Sequence, residues 1–202
     1  MGERQANTHF NSFKDFLAFE EHSDIRYEYH NGEVFAMAGT TLVHNRLVNN
    51  AADILKAVFR PKGCHIYTES VKLEVIRDSY YPYPDVMVTC HELDKQGKYS
   101  IKNPVVLVEV LSKSTAEMDR EFKLQRYKKL PSLQYYLLVS QDKYLVELYG
   151  RTDNPSIWTY QSFDKLADKI RLDRLDCQMS VADMYGDISF EPEMAENTGV
   201  LK

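Results

Sequence analysis

Between Pro104 and Ser112 the chain reads PVVLVEVLS, an apolar, β-branched run interrupted by one ionisable residue, Glu109. Short runs of this kind, bounded by proline and polar residues, form buried strands. Strand alternation puts Leu107, Glu109 and Leu111 on one face and Val106, Val108 and Val110 on the other. A carboxylate there is costly unless it is paired, hydrogen-bonded or bound to a metal. A second acid, Asp85, follows Pro84 at the head of another apolar run, Val86-Met87-Val88. If the two strands are neighbours, both carboxylates can converge on one hard divalent cation. Oxygen-only ligation suits Mg²⁺ or Mn²⁺ better than zinc.

The remaining elements follow from local signals. Ser12 caps a short helix carrying Phe13, Phe16 and Leu17. Asn31-Gly32 lies between two alternating segments, a strong hairpin signal, and Glu33 follows the turn directly. Leu47, Ala51, Ile54, Leu55 and Val58 make one stripe of a long helix with His44 in its first turns. Val71, Leu73 and Val75 alternate with Lys72, Glu74 and Arg77, which predicts an edge strand with one side in water. Residues 91–103 read as a polar connector. A charged helix over 116–129, preceded by Ser112 to Thr115, ends at Pro131. LQYYLLVS and YLVELYG form a hairpin, SIWTYQSF adds a strand, and MSVADMY a last helical turn. The chain reads as a single domain over 1–202, with its core at about 13–186 and a frayed tail over 187–202.

A chain of 202 residues with 44% hydrophobic content can bury one real core. Its net charge of −5 argues against coating nucleic acid by bulk electrostatics. The stretch from Lys113 to Lys129 is locally basic, through Arg120, Lys123, Arg126 and Lys128, and could meet a phosphate backbone or serve as a solvated helix face. No run approaches the roughly 20 apolar residues of a membrane span, and MGERQANTHF lacks the apolar core of a signal peptide. A cytoplasmic location without membrane attachment is the expectation. Cys64, Cys90 and Cys177 are odd in number and widely spaced, and read as reduced thiols.

The ordered set Asn31-Gly32-Glu33, His44, Pro84-Asp85-Val86, Glu109-Val110-Leu111-Ser112-Lys113-Ser114-Thr115, Asp119, Lys123 and Tyr127 resembles the Uma-two family of restriction-endonuclease-like proteins, a branch of the PD-(D/E)XK nuclease superfamily. The resemblance covers about residues 13–150. It implies a mixed central sheet flanked by helices, an α/β fold of the restriction-endonuclease-like type, with an N-terminal helix and hairpin. It also implies metal-dependent hydrolysis of phosphodiester bonds in DNA, with Asp85 and Glu109 holding Mg²⁺ or Mn²⁺. The superfamily places a lysine two residues after the second acid, where this chain has Leu111. The family pattern gives that role to Lys123, which shares a helix face with Tyr127; Lys113, on the extrapolated Glu109 face, is the competing cation. Glu33 could complete the metal shell, and His44 could touch phosphate or metal. Two bland readings stand beside these: a salt bridge to Lys123 would itself satisfy Glu109, and Asp85 could cap a turn. The alternative function is a catalytically silent domain that binds nucleic acid or protein. Cutting both strands commonly pairs two active sites, which gives a homodimer as a further expectation.

Overall fold

The computed structural model describes residues 4–37, 39–113 and 115–190, and of residues 4–8 the backbone alone. In chain order the strands are β1 (Arg4–His9), β2 (Tyr27–His30), β3 (Glu33–Ala36), β4 (His65–Thr68), β5 (Lys72–Leu73), β6 (Tyr80–Tyr81), β7 (Val86–Thr89), β8 (Ser100–Ile101), β9 (Pro104–Leu111), β10 (Tyr135–Ser140), β11 (Val146–Arg151), β12 (Trp158–Phe163), β13 (Lys169–Leu172) and β14 (Cys177–Ser180). The helices are α1 (Phe13–Glu20), α2 (Leu42–Phe59), α3 (Glu92–Lys95), α4 (Ala116–Met118), α5 (Leu124–Tyr127) and α6 (Val181–Tyr185), with a π-helical turn, Asp119–Lys123, joining α4 to α5.

A six-stranded sheet of order β12-β11-β10-β9-β7-β4 forms the centre. β9 and β10 run parallel, and every other adjacent pair in it is antiparallel. Burial on both faces explains the near-continuous apolar run of β9. On one face Val106, Val108 and Val110 meet Leu47, Ala51 and Leu55 of α2. On the other, Leu107 and Leu111 meet Leu124 and Tyr127 of α5, with Leu130 beyond it. The mixed sheet with helices on both sides is therefore the architecture expected from the sequence.

A smaller sheet of order β1-β3-β2-β6 closes over α1. Its core is aromatic: Phe13 stacks on Tyr81 with centroids 3.4 Å apart, and Phe16 packs on Tyr29 at 5.2 Å. The Asn31-Gly32 turn that joins β2 to β3 has φ of 50° and 87°, the left-handed pair a tight hairpin needs. Any Cβ at Gly32 would lie 2.7 Å from the Phe10 carbonyl oxygen, so glycine is required there for space as well as for conformation.

Three expectations are corrected. Cys64 and Cys90 form a disulfide, leaving Cys177 as the free, buried thiol. They follow one step outside the pair His65↔Thr89, so strand register, invisible in the spacing of cysteines, brings them together. Lys72 does not face water: it is buried and ion-paired to Glu20 of α1. The expected edge strand shrinks to the two residues of β5, which pair in parallel with β8 inside the presumed connector. Asp94 in that connector is buried, and its carboxylate accepts from the Thr89 hydroxyl and from the backbone N–H groups of Lys102 and Asn103. Finally, Ile188 is buried and Phe190 packs on Tyr144 and Tyr185. The core thus continues past 186; residues 191–202 lie outside the described residues.

Closing a loop of sequence separation 26 stabilises by about 3 kcal/mol through the unfolded state. The double variant Cys64→Ser/Cys90→Ser should lower unfolding stability by that amount in a urea titration, and dithiothreitol should produce the same loss in the parent. A midpoint indifferent to both would mean that the bond contributes nothing to stability.

Candidate active site

Glu109 is 3% exposed on the β9 face that α5 covers. Its Oε1 accepts from Lys123 Nζ at 3.0 Å and from the Tyr127 hydroxyl at 2.9 Å. Both donors come from the helical segment after β9, and the π-turn sits where Lys123 and Asp119 must face inward. Such turns interrupt α-helices frequently at functional sites. Lys123 Nζ lies 2.9 Å from Asp119 Oδ1, in ion-pair range though off the hydrogen-bond direction, and 3.9 Å from Glu28 Oε1.

One ammonium thus faces three carboxylates in a nearly dry setting. Burial pushes Glu109 well above the usual carboxylate range; Lys123 opposes this, while Asp119 and Asp85 reinforce it. Burial pulls Lys123 down, but Glu109 and Asp119 outweigh it and hold the ammonium well above its ordinary value. The proton on Lys123 is therefore secure, and three acids share that one cation.

Asp85 precedes β7, and one step beyond the pair Val86↔Val108 the register sets it opposite Glu109. Its Oδ2 accepts the Val110 N–H at 2.6 Å, continuing the ladder by a side chain where the strand ends. The same oxygen lies 3.4 Å from His44 Nε2. His44 occupies the first turn of α2, which Thr41 caps by accepting its N–H at 3.1 Å. Burial lowers the imidazole pKa, but Asp85, with Glu69 beyond it, raises it above its ordinary value. Its Nδ1 is buried without a hydrogen-bond partner.

Glu69, just past β4, completes this second group. Its φ of 44° is left-handed, a strained setting for glutamate that concentrates at functional sites. Its N–H donates to the Asp85 carbonyl at 3.1 Å. Ligand atoms of His44, Glu69 and Asp85 all lie within 4.8 Å of one another. One imidazole nitrogen and two carboxylate oxygens at that spacing suit a divalent ion.

The structure brings Lys123 and Tyr127 to Glu109, and His44 to Asp85. Leu111 is buried among apolar residues, and Lys113 is exposed in the turn after β9. Glu33 starts β3 opposite His30; the hairpin acid near Lys123 is Glu28. Sequence reading missed Glu28, which alternates with the buried Tyr27 and Tyr29 and so faces away from the aromatic core. It also missed Glu69, for which only the break after β4 gave a signal.

The family model Uma2, described as "Putative restriction endonuclease", matches residues 13–182. Two uncharacterized proteins of Synechocystis sp. are similar. One is 32% identical over 155 residues, covering 76% of this chain and 82% of the relative. The other is 33% identical over 148 residues, covering 72% and 84%. The crystal structure of "a putative nuclease belonging to DUF820" from Anabaena variabilis aligns with a TM-score of 0.69 at 15% identity, covering 86% of this chain and 97% of that one. At that identity the likeness is one of fold.

Removing the single cation from the first cluster should be far worse than removing one of its acids. Lys123→Met is expected to cost about 3–5 kcal/mol, because Glu109 and Asp119 would be left buried and unpaired. Glu109→Gln keeps an acceptor for Tyr127 and leaves Lys123 with Asp119, so its loss should be no more than about 1 kcal/mol. Denaturant titration of both variants decides it; equal losses would show that the Glu109–Lys123 bond itself, not the excess of acids, governs stability.

Proposed function

Because the chain belongs to the Uma2 family of restriction-endonuclease-like proteins, we propose that it is a metal-dependent endonuclease that hydrolyses phosphodiester bonds in DNA. The observation that carries this reading is the meeting of two groups at one end of the sheet. His44, Glu69 and Asp85 form a compact donor set, and Asp85 stands in register with Glu109, which is bonded to a buried, protonated Lys123.

The three donors His44, Glu69 and Asp85 would hold the ion, with Glu109 on the adjoining strand as the next acid in reach. A divalent ion bound there supplies an activated water at neutral pH and neutralises charge on the phosphate. Everything else falls to the chain. Lys123 enters from the helix where the superfamily would use a strand lysine, and its ammonium stabilises charge that develops on the phosphate or orients the attacking water. Asp119 and Glu28 hold that ammonium in place, and Tyr127 fixes the Glu109 carboxylate. Leu111 and the apolar residues around it keep water from the back of the site. Since Mg²⁺ keeps to oxygen donors, the His44 nitrogen makes Mn²⁺ the better fitting of the two ions.

Electron paramagnetic resonance should detect Mn²⁺ bound by the parent chain and lost in Asp85→Asn and in Glu69→Gln. Plasmid cleavage should need Mn²⁺ or Mg²⁺, run faster with Mn²⁺, and vanish in the same variants. Lys123→Ala should slow it by about 10²-fold or more, whereas Lys113→Ala should stay near the parent. In the Lys123→Ala background, Leu111→Lys should partly restore cleavage. Mn²⁺ binding without cleavage of any DNA would leave a binding domain in place of an enzyme. Cleavage that survives Asp85→Asn would place the chemistry elsewhere.

A further inference from the structure

A cavity of about 270 Å³, lined in part by residues close in sequence to Glu69 and Asp85, is not used by the reaction as described. One wall is the chain immediately after Glu69, Ser70 and Val71; another includes Tyr83, two residues before Asp85; the third is the loop around Tyr99 and Ser100. Whatever occupies the cavity therefore touches the two segments that carry the candidate metal ligands.

The lining selects the kind of occupant. Tyr67, Tyr83 and Tyr99 line it with Val71 and Ile101, the Lys72 ammonium lies 4.6 Å from the centre of the Tyr83 ring, and Ser70 and Ser100 complete the lining. The charged groups deeper in are already satisfied. Lys72 is ion-paired to Glu20 and bonded to the Tyr83 hydroxyl, and the oxygens of Asp94 are taken by Thr89, Lys102 and Asn103. No net charge remains inside to hold a phosphate or carboxylate. At the rim both signs meet. Tyr99 is 45% exposed, the exposed ammonium of Lys98 lies 4.8 Å from the centre of its ring, and the Tyr99 hydroxyl donates to the Glu21 carboxylate at 3.4 Å. A neutral flat group with polar edges fits the interior, and an anion attached to it would pair with Lys98.

We infer that this cavity takes one nucleobase of the bound DNA strand, stacked on Tyr99 with its phosphate beside Lys98, so that the base next to the cut is held out of its stack. This rests on the nuclease reading above. The volume lies at the small end of ligand cavities, about 300 Å³, enough for one base and too small for a stretch of strand. A chain of net charge −5 gains little from bulk attraction to DNA, and aromatic stacking supplies local affinity that tolerates any base. An unstacked base also implies a preference for single-stranded, mismatched or flexible DNA, in which extrusion costs least.

The test uses the full chain in EDTA, so that neither metal nor cleavage enters. A short single-stranded oligodeoxynucleotide containing 2-aminopurine is titrated with protein, and the fluorescence of the probe base is followed. The parent should quench it. Tyr99→Phe should match the parent, Tyr99→Ala should weaken binding by about tenfold or more and abolish the quench, and Lys98→Ala should weaken binding while keeping it. Absence of quenching by the parent, or quenching unchanged in Tyr99→Ala, overturns the inference. The two readings separate cleanly: metal-dependent cleavage with no Tyr99-dependent quench removes only the base pocket, and a Tyr99-dependent quench without cleavage in Mn²⁺ removes only the nuclease.

Discussion

A carboxylate inside the central strand of an apolar sheet dictates much of what surrounds it. Glu109 lies between Leu107 and Leu111 on a face that an α-helical segment must cover, and Leu138 stands opposite it on β10. Ionised and alone, it would cost several kcal/mol even after relaxation. The covering segment therefore has to deliver a cation as well as apolar residues. It does both within twelve residues: Leu124 and Tyr127 pack on β9, while Lys123 from the π-turn reaches the acid. Asp119 then faces Lys123, and Glu28 draws the small hairpin sheet toward the same ammonium.

Such an arrangement is a poor way to gain stability. Buried ion pairs can often be replaced by apolar residues of similar volume at little or no loss, and here the acids outnumber the cation. The second acidic group, His44 with Glu69 and Asp85, adds further negative charge at the same end of the sheet. Like charges gathered at the end of a sheet repel one another less once a cation lies among them. Under the proposed function the two groups would divide the work: one would present donors at the strand ends, and the other keeps a protonated lysine buried.

Much of this was legible in the chain itself. The alternation in PVVLVEVLS placed Glu109 on the Leu107–Leu111 face, and Asn31-Gly32 marked its hairpin. The spacing of Lys123 and Tyr127 put both on one helical face. Other parts were not legible because they depend on register or on backbone state. A period of two says that Lys72 and Val71 face opposite ways, but not that α1 lies over the lysine with Glu20 ready to pair. Nor does sequence reveal that Glu69 adopts a left-handed conformation, without which its carboxylate would point along the strand alternation. Glu33 stood out because it follows the turn directly, yet the hairpin acid near Lys123 is Glu28. The cysteine pair required knowing that β4 and β7 are partners at a particular offset, which a sequence separation of 26 hides.

That pairing has a consequence for the donor set at the other end of the same two strands. β4 is four residues long and lies at the edge of the sheet, a place where strands fray most easily. With Cys64 bonded to Cys90, the chain from one cysteine to the other is a covalent ring, and both Glu69 and Asp85 are members of it. In coordination terms the proposed site would draw two of its three donors from a macrocycle, with His44 added from outside the ring. Fraying of the edge strand can widen such a ring but cannot open it, so an ion held there would have to leave past donors that remain tethered to each other.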